Sequence, residues 1–528
     1  LEILITVLLS SMIALTVGQT VGNWIQANMT LRVAVKTRVT MTSDYIARLF
    51  RMPLLWFDNR LTGDIFQRNA DFDRIESGST TAVFAGILSV FSLTIFGAVL
   101  LIYSAPLFWV FVIGATLYMA WVLVFWEIRK RMDIRYFSLL AKNNSQWIEF
   151  VTRITDIKLF RNGDARRWNW ERNQVELYRT RMKLLHAEQA QALGSSFIKA
   201  LKDAALIWLS AKSVMSGEMT LGMLTAVQYL LGQMGAPLDG TVNFIISLQL
   251  STISYNRVTD TFRSQTEKDE PTVNDVLLPA CGDLALNGVS FRYGADKWAI
   301  DRVDLVFPAG KTSVIVGQSG SGKSTLLKIL AGLYEPTLGN VAIGGMPLYT
   351  VSINAWRERC GVITQDCGLV RGTIYDNIVF GRDPNKDALI RSVSLASIRE
   401  EIETMSRGYE TLIGENGRGV SEGQKQRILL ARALYSDPDY LLLDEMTSSL
   451  DNENEKAIVT MLRESLPGKT IIIVSHKRES AESADLVVVM ENGTVVEAGT
   501  PAVLANLGKA FRRFFPPITS DTRPNTLK

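Results

Sequence analysis

At 528 residues the chain exceeds one ordinary domain of ~100–200 residues. Its 47% hydrophobic and 21% charged content excludes a disordered chain, and a mean hydropathy of +0.13 points to a membrane part. The 56 Lys and Arg nearly balance 53 Asp and Glu, which excludes a nucleic-acid binder built on overall charge; three cysteines without a CxxC pair and two histidines exclude a disulfide scaffold and a zinc site.

Apolar stretches at residues 1–27, 83–103 and 107–126 approach the ~20 residues that cross a bilayer as helix. Two further stretches are interrupted: 197–215 by Lys199, Lys202 and Asp203, and 219–250 by Gly235-Ala236-Pro237. A cation at the centre of a lipid-facing helix costs about 2.5–3.5 kcal/mol, so Lys199 and Lys202 are expected near the cytoplasmic end or facing a wet interior, with snorkelling at the interface the preferred reading. Lys and Arg crowd the segment from Arg129 to Arg172 and recur from Arg32 to Arg74, which places both segments in the cytoplasm. Ser104-Ala105-Pro106 and Ser216-Gly217-Glu218 carry none and are expected outside. Five crossings with a cytoplasmic C-terminal half put Leu1 at the outer side, an arrangement that expects one more membrane helix upstream. The cytoplasmic segments show helical spacing, as at Trp147, Phe150, Val151, Ile154 and Ile157, and should extend the membrane helices into the cytoplasm.

The membrane domain is thus expected over residues 1–263 and a polar linker containing Glu267-Lys268-Asp269-Glu270-Pro271 over 264–283. Residues 284–515 alternate short β-branched runs (Thr312 to Val316, Tyr440 to Leu443, Thr470 to Val474, Leu486 to Met490) with helical ones, the pattern of an α/β domain. A polar tail follows over 516–528.

Within the α/β part, Gly317-Gln318-Ser319-Gly320-Ser321-Gly322-Lys323-Ser324-Thr325 lies between a β-branched run and a helical one, the context a P-loop requires. Its glycines let successive backbone N–H groups wrap phosphate, Lys323 reaches the β- and γ-phosphates, and Ser324 ligates Mg2+. Tyr440-Leu441-Leu442-Leu443-Asp444-Glu445 is an apolar strand ending in two carboxylates, with Asp444 placed to hold Mg2+ and Glu445 to orient or deprotonate the attacking water. ATP and Mg2+ are the expected ligands.

Gly419-Val420-Ser421-Glu422-Gly423-Gln424 resembles the LSGGQ signature of ABC ATPases. The resemblance extends over the domain: Tyr293 stands at the adenine-stacking position, Gln365 at the Q-loop, Ser449-Leu450-Asp451 at the D-loop and His476 at the switch position. It implies that Ser421 and Gly423 contact the γ-phosphate bound to the partner subunit's P-loop, so that two copies enclose two ATP molecules. Glu422 departs from the pattern, occupying the first glycine position, and Val420 replaces Leu. A carboxylate turned toward ATP would oppose closure; one turned away would not.

Met52-Pro53-Leu54-Leu55-Trp56-Phe57-Asp58 through Gly63-Asp64-Ile65 resembles the first cytoplasmic loop of ABC exporters in which membrane and ATPase domains share a chain. That family docks two coupling helices on its ATPase domains, expected here near Arg68 to Asp73 and Ile148 to Ile154. Ser145-Gln146-Trp147-Ile148-Glu149, Arg167-Trp168-Asn169-Trp170 and Thr220-Leu221-Gly222-Met223 are similar to bacterial peptidase-containing exporters of bacteriocin-type peptides. The resemblance implies a type I exporter fold, an all-α polytopic membrane domain followed by an α/β P-loop ATPase. It further implies a homodimeric half-transporter in the bacterial inner membrane, among lipids and without nucleic acid, exporting a peptide, and a cysteine-peptidase domain upstream of Leu1. Lipid or drug export and an ATP-gated channel or regulator are the alternatives.

Overall fold

A run of 23 residues without a charge, Thr81–Tyr103, can satisfy its backbone in a bilayer only by bonding to itself, and it is helical from end to end. The computed structural model describes residues 2–60, 62–263, 266–267, 282–294, 297–414, 417–445 and 460–516. The chain divides into two units, Leu1–Met52 with Trp56–Gln265 and Pro53–Leu55 with Thr266–Lys528.

The first unit is built from long rods: Glu2–Phe50, Thr62–Ser79 running on as Thr81–Tyr103, Ala105–Val124 running on as Trp126–Thr152, Gly163–Met215, and Leu221–Arg263. Two of them, Thr62–Tyr103 and Ala105–Thr152, are long and apolar enough to cross a membrane by length and composition. At ~1.5 Å per residue the rods exceed the ~30 Å of a bilayer core, which lets one helix serve as both crossing and extension. Ser104, extended at φ −164°, separates two of them, and Pro106 starts the second. Leu100, Leu107, Leu206, Met219 and Val227 share one apolar cluster, so the two turns free of Lys and Arg lie at the same end of the bundle.

Three expectations change here. Gly235-Ala236-Pro237 does not interrupt its helix, which runs unbroken through Pro237, because the proline removes only one backbone donor. Lys199 and Lys202 do not snorkel: Lys199 donates to Asp239 at 3.0 Å, and Lys202 is buried against Asp203. Arg68 to Asp73 lies inside Thr62–Ser79, with Arg68, Asp71 and Phe72 buried, while the chain reversal falls at residues 51–61. The second loop segment, Ile148 to Ile154, does sit at a reversal, between Trp126–Thr152 and the short helix Ile154–Leu159.

Buried charges tie three rods together at the end of the bundle away from the two turns free of Lys and Arg. Asp71 accepts from Ser254 Oγ at 2.7 Å and from Arg257 Nε at 3.2 Å, and Arg74 donates to both Asp133 oxygens at 3.1 Å. Arg257 also lies 3.9 Å from the Phe137 ring centroid. Breaking a buried pair strands the surviving charge, so Asp71→Ala should destabilise the membrane unit by about 3 kcal/mol. The readout is a lower unfolding temperature of the detergent-solubilised protein; an unchanged temperature would show that the network carries no net stability.

In the second unit Leu284–Phe291 pairs antiparallel with Ile300–Phe307 and Leu338–Ile343. A six-stranded sheet has the order Thr494–Gly499, Leu486–Glu491, Thr312–Gly317, Thr470–Val474, Tyr440–Asp444, Cys360–Ile363, all parallel except the first. Side chains alternate across it. Val314, Val316, Leu441, Leu443, Ile471 and Ile473 enter one core with Ile428 and Leu430 of the helix Glu422–Leu434. Ile315, Leu442, Ile472 and Val474 enter the other, with Leu326 and Ile329 of the helix Lys323–Leu330. Burial on both faces explains why these runs read as continuously apolar. Of the expected linker, residues 266–267 and 282–283 are described, and Glu267 accepts a bidentate pair from Arg357 at 2.6 and 2.8 Å. The expected tail beyond Pro516 lies outside the described residues.

Candidate active site

Parallel strands that are neighbours in a sheet end side by side, so the loops leaving them converge. Thr312–Gly317, Thr470–Val474, Tyr440–Asp444 and Cys360–Ile363 are consecutive in the sheet. They deliver, in that order, the P-loop, His476, the Asp444-Glu445 pair and Gln365 to one edge.

The P-loop takes its form from glycine. Gly320 has φ +80° and Gly322 φ +100°, and a Cβ on Gly322 would stand 2.7 Å from the Ala299 carbonyl oxygen. Gly322 then caps the helix Lys323–Leu330. Lys323 is 5% exposed, and its ammonium donates to the carbonyls of Gly317 at 3.0 Å and Gln318 at 2.8 Å, bracing the loop. Burial pushes the Lys323 pKa down, opposed by the carboxylates of Glu445 and Asp444.

Asp444 is 2% exposed, and both its oxygens, like Ser321 Oγ, are buried with no hydrogen-bond partner. Burial raises its pKa, opposed first by the Ser324 hydroxyl beside it and then by the charges of Lys323 and Lys328. A buried carboxylate with no well-formed hydrogen bond and the Ser324 hydroxyl beside it is a poor structural element and a good cation site, so the residues present fit Mg2+. Glu445 is held at φ +48°, and its backbone N–H donates to the Val474 carbonyl at 3.0 Å. Its carboxylate receives Gln365 Nε2 on one oxygen at 2.9 Å and lies 2.5 Å from His476 Nε2 on the other. Three residues that the sequence separates by 80 and 31 positions therefore meet on one carboxylate. A group so fixed from both sides can orient a water and accept its proton.

Tyr293 is half-exposed; its hydroxyl lies 2.8 Å from Thr325 Oγ1, and its ring stands edge-on to Phe291 and Tyr334. The exposed part of the ring is available for stacking. Two supports were not foreseen from sequence: Tyr334, stacked on Phe291 at 4.9 Å, and Phe514, 6.1 Å from the His476 ring. Both contacts join distant segments, so no local spacing signals them. Cys360 is buried and Cys367 half-buried, and both are free thiols.

Ser421 and Gly423 make no hydrogen bond or ion pair with the Lys323 cluster among the described residues. Ser421 instead caps Glu422–Leu434, accepting from Gln424 N while the Gln424 side chain accepts from Ser421 N, a reciprocal capping box. Glu422 turns back along its own helix to Lys425, 3.1 Å away, with 63% of its side chain exposed. Such a pair contributes at most ~1 kcal/mol, so Glu422→Gly should leave steady-state ATPase activity within about twofold. A large loss would reveal a role for this carboxylate that its geometry does not suggest. Asp451 lies outside the described residues.

Residues 3–238 match the family described as ABC transporter transmembrane region, and residues 300–448 match the ABC transporter family. The transport/processing ATP-binding protein ComA of Streptococcus pneumoniae is 30% identical over 93% of this chain and 68% of its own length. The toxin RTX-I translocation ATP-binding protein of Actinobacillus pleuropneumoniae is 33% identical, covering 86% of this chain and 65% of its own. The alpha-hemolysin translocation ATP-binding protein HlyB of Escherichia coli is 32% identical over the same shares. The chain thus spans about two thirds of the length of these relatives. A solved bacterial Atm1-family ABC exporter with ATP bound shares the fold, with a TM-score of 0.86 at 22% identity over 93% of this chain and 87% of that one.

Proposed function

This chain belongs to the ABC exporters, with a transmembrane region and an ATP-binding domain in one polypeptide, and from that premise we propose that it drives a peptide outward across the bacterial inner membrane as a homodimeric half-transporter. The observation that carries the ATPase reading is the Glu445 carboxylate, fixed between Gln365 and His476 at the edge where the P-loop also emerges. Peptide as the cargo is supported by the similarity to ComA and to toxin-translocating proteins.

In this reading Lys323 and the P-loop N–H groups bind the β- and γ-phosphates, and Tyr293 stacks on adenine. Ser324, Gln365 and Asp444 would hold Mg2+, which would supply charge to offset that of the phosphate oxygens. Glu445 orients the attacking water and takes its proton, while His476 and Gln365 hold the carboxylate in line. Ser421 and Gly423 of the second copy complete the site, a role supported by their lack of a hydrogen bond to the Lys323 cluster among the described residues of one chain. ATP closes the pair of domains and hydrolysis reopens it.

The test is uptake of a fluorescent peptide into inside-out vesicles. ATP-dependent accumulation above the external concentration supports the reading. A channel would only equilibrate the peptide, and a lipid or drug exporter would leave it outside; either outcome overturns peptide export.

A further inference from the structure

Polar side chains exposed along a membrane helix face water or protein, because lipid offers them no partner. On Leu221–Arg263 the exposed Thr225, Gln228, Gly232, Ala236 and Asn243 recur at steps of three and four with the half-exposed Asp239, which makes one continuous helix face. The exposed residues of Thr81–Tyr103 are by contrast mostly apolar, Phe84, Ile87, Leu88, Val90, Phe91 and Ile95 among them, as a lipid-facing surface requires. The polar face of Leu221–Arg263 therefore turns away from lipid, and water reaching it would make it the wall of a wet path.

Three rods converge on that face at Asp239. Lys199 Nζ donates to Asp239 Oδ2 at 3.0 Å, and the Tyr118 hydroxyl donates to Oδ1 at 2.8 Å. Counted at ~1.5 Å per residue from the outer turns, the three lie ~20–27 Å deep, within the ~30 Å core. Gly235 makes room for the ammonium, since a Cβ there would stand 3.1 Å from Lys199 Nζ. Lys202, one turn along, is closed off, with 4% of its side chain exposed, Asp203 beside it and the Phe111 ring 5.1 Å away. Lys199, with 31% of its side chain exposed, is the cation that the path can reach.

We propose that Lys199 binds a carboxylate of the translocated peptide in exchange for Asp239. The inference rests on the peptide-export reading. The direction of exchange follows from the unequal supports of the two partners. When Lys199 turns to a cargo carboxylate, Asp239 keeps the Tyr118 hydroxyl and faces the path. A cargo cation on Asp239 would instead strip Lys199 of the one carboxylate it pairs with among the described residues.

The experiment uses the full chain in liposomes and ATPase stimulation by three short peptides identical except for Glu, Gln or Lys at one position. The half-maximal concentration of the Glu peptide should lie about tenfold below that of the Gln peptide. The difference should vanish in Lys199→Gln and survive in Lys199→Arg; the ratio is taken within each variant, so changes in basal rate cancel. Equal concentrations for the Glu and Gln peptides overturn the role of Lys199 while leaving peptide export standing. Stimulation by none of them overturns both. A preference for the Lys peptide that disappears in Asp239→Asn assigns recognition to Asp239 and also overturns the proposal.

Discussion

Glu445→Gln is expected to bind ATP within about twofold of the unmodified protein while its sustained hydrolysis falls ~10²–10⁴-fold, the range a positioned general base contributes. The substitution keeps the shape of the site. A glutamine side-chain oxygen can still accept from Gln365 Nε2, which now reaches Glu445 at 2.9 Å, and the backbone bond from residue 445 to the Val474 carbonyl is untouched. What disappears is the ability to take a proton from water. Binding without turnover should accumulate the closed, ATP-loaded dimer, visible as a shift in size or as trapped nucleotide. Phosphate release near the unmodified rate would remove Glu445 from the chemistry and turn attention to His476, whose Nε2 donates to that carboxylate.

Lys323→Ala should fail earlier, at binding, with ATP affinity reduced about 100-fold. The charge-assisted bonds that this ammonium would make to phosphate are lost, and such bonds are among the stronger hydrogen bonds a protein makes. The ammonium is also a strut, since it donates to the Gly317 and Gln318 carbonyls across the loop. Its burial is tolerated because Asp444 and Glu445 stand close enough to oppose the fall in its pKa. Nucleotide affinity is measured directly by fluorescence, and an unchanged unfolding temperature separates a lost contact from a collapsed domain. Affinity equal to that of the unmodified protein would contradict the P-loop role.

The chemistry of the ATPase domain was legible in the sequence because its parts are local. A P-loop needs particular backbone torsions within nine residues, so its glycines are visible as spacing, and Gly320 and Gly322 indeed take positive φ. A strand buried on both faces needs an unbroken apolar run, which Tyr440–Asp444 and Thr470–Val474 supply. An uncharged helix such as Thr81–Tyr103 is equally plain. Only the tertiary structure decided which distant groups meet. Parallel strands become neighbours through long crossovers, so nothing near Gln365, Glu445 or His476 announces that one carboxylate joins them. The membrane cations show the same limit. Periodicity and insertion costs said that Lys199 and Lys202 needed company, and gave snorkelling as the cheapest way to find it. The fold supplied Lys199 with Asp239 from another helix, itself held by Tyr118 of a third, and left Lys202 against its neighbour Asp203, so each charge has a partner without moving to the interface. Helical pattern likewise placed Arg68 to Asp73 on a helix, but whether that turn is a tip or a buried strut depended on Ser254, Arg257 and Thr261 packing against it.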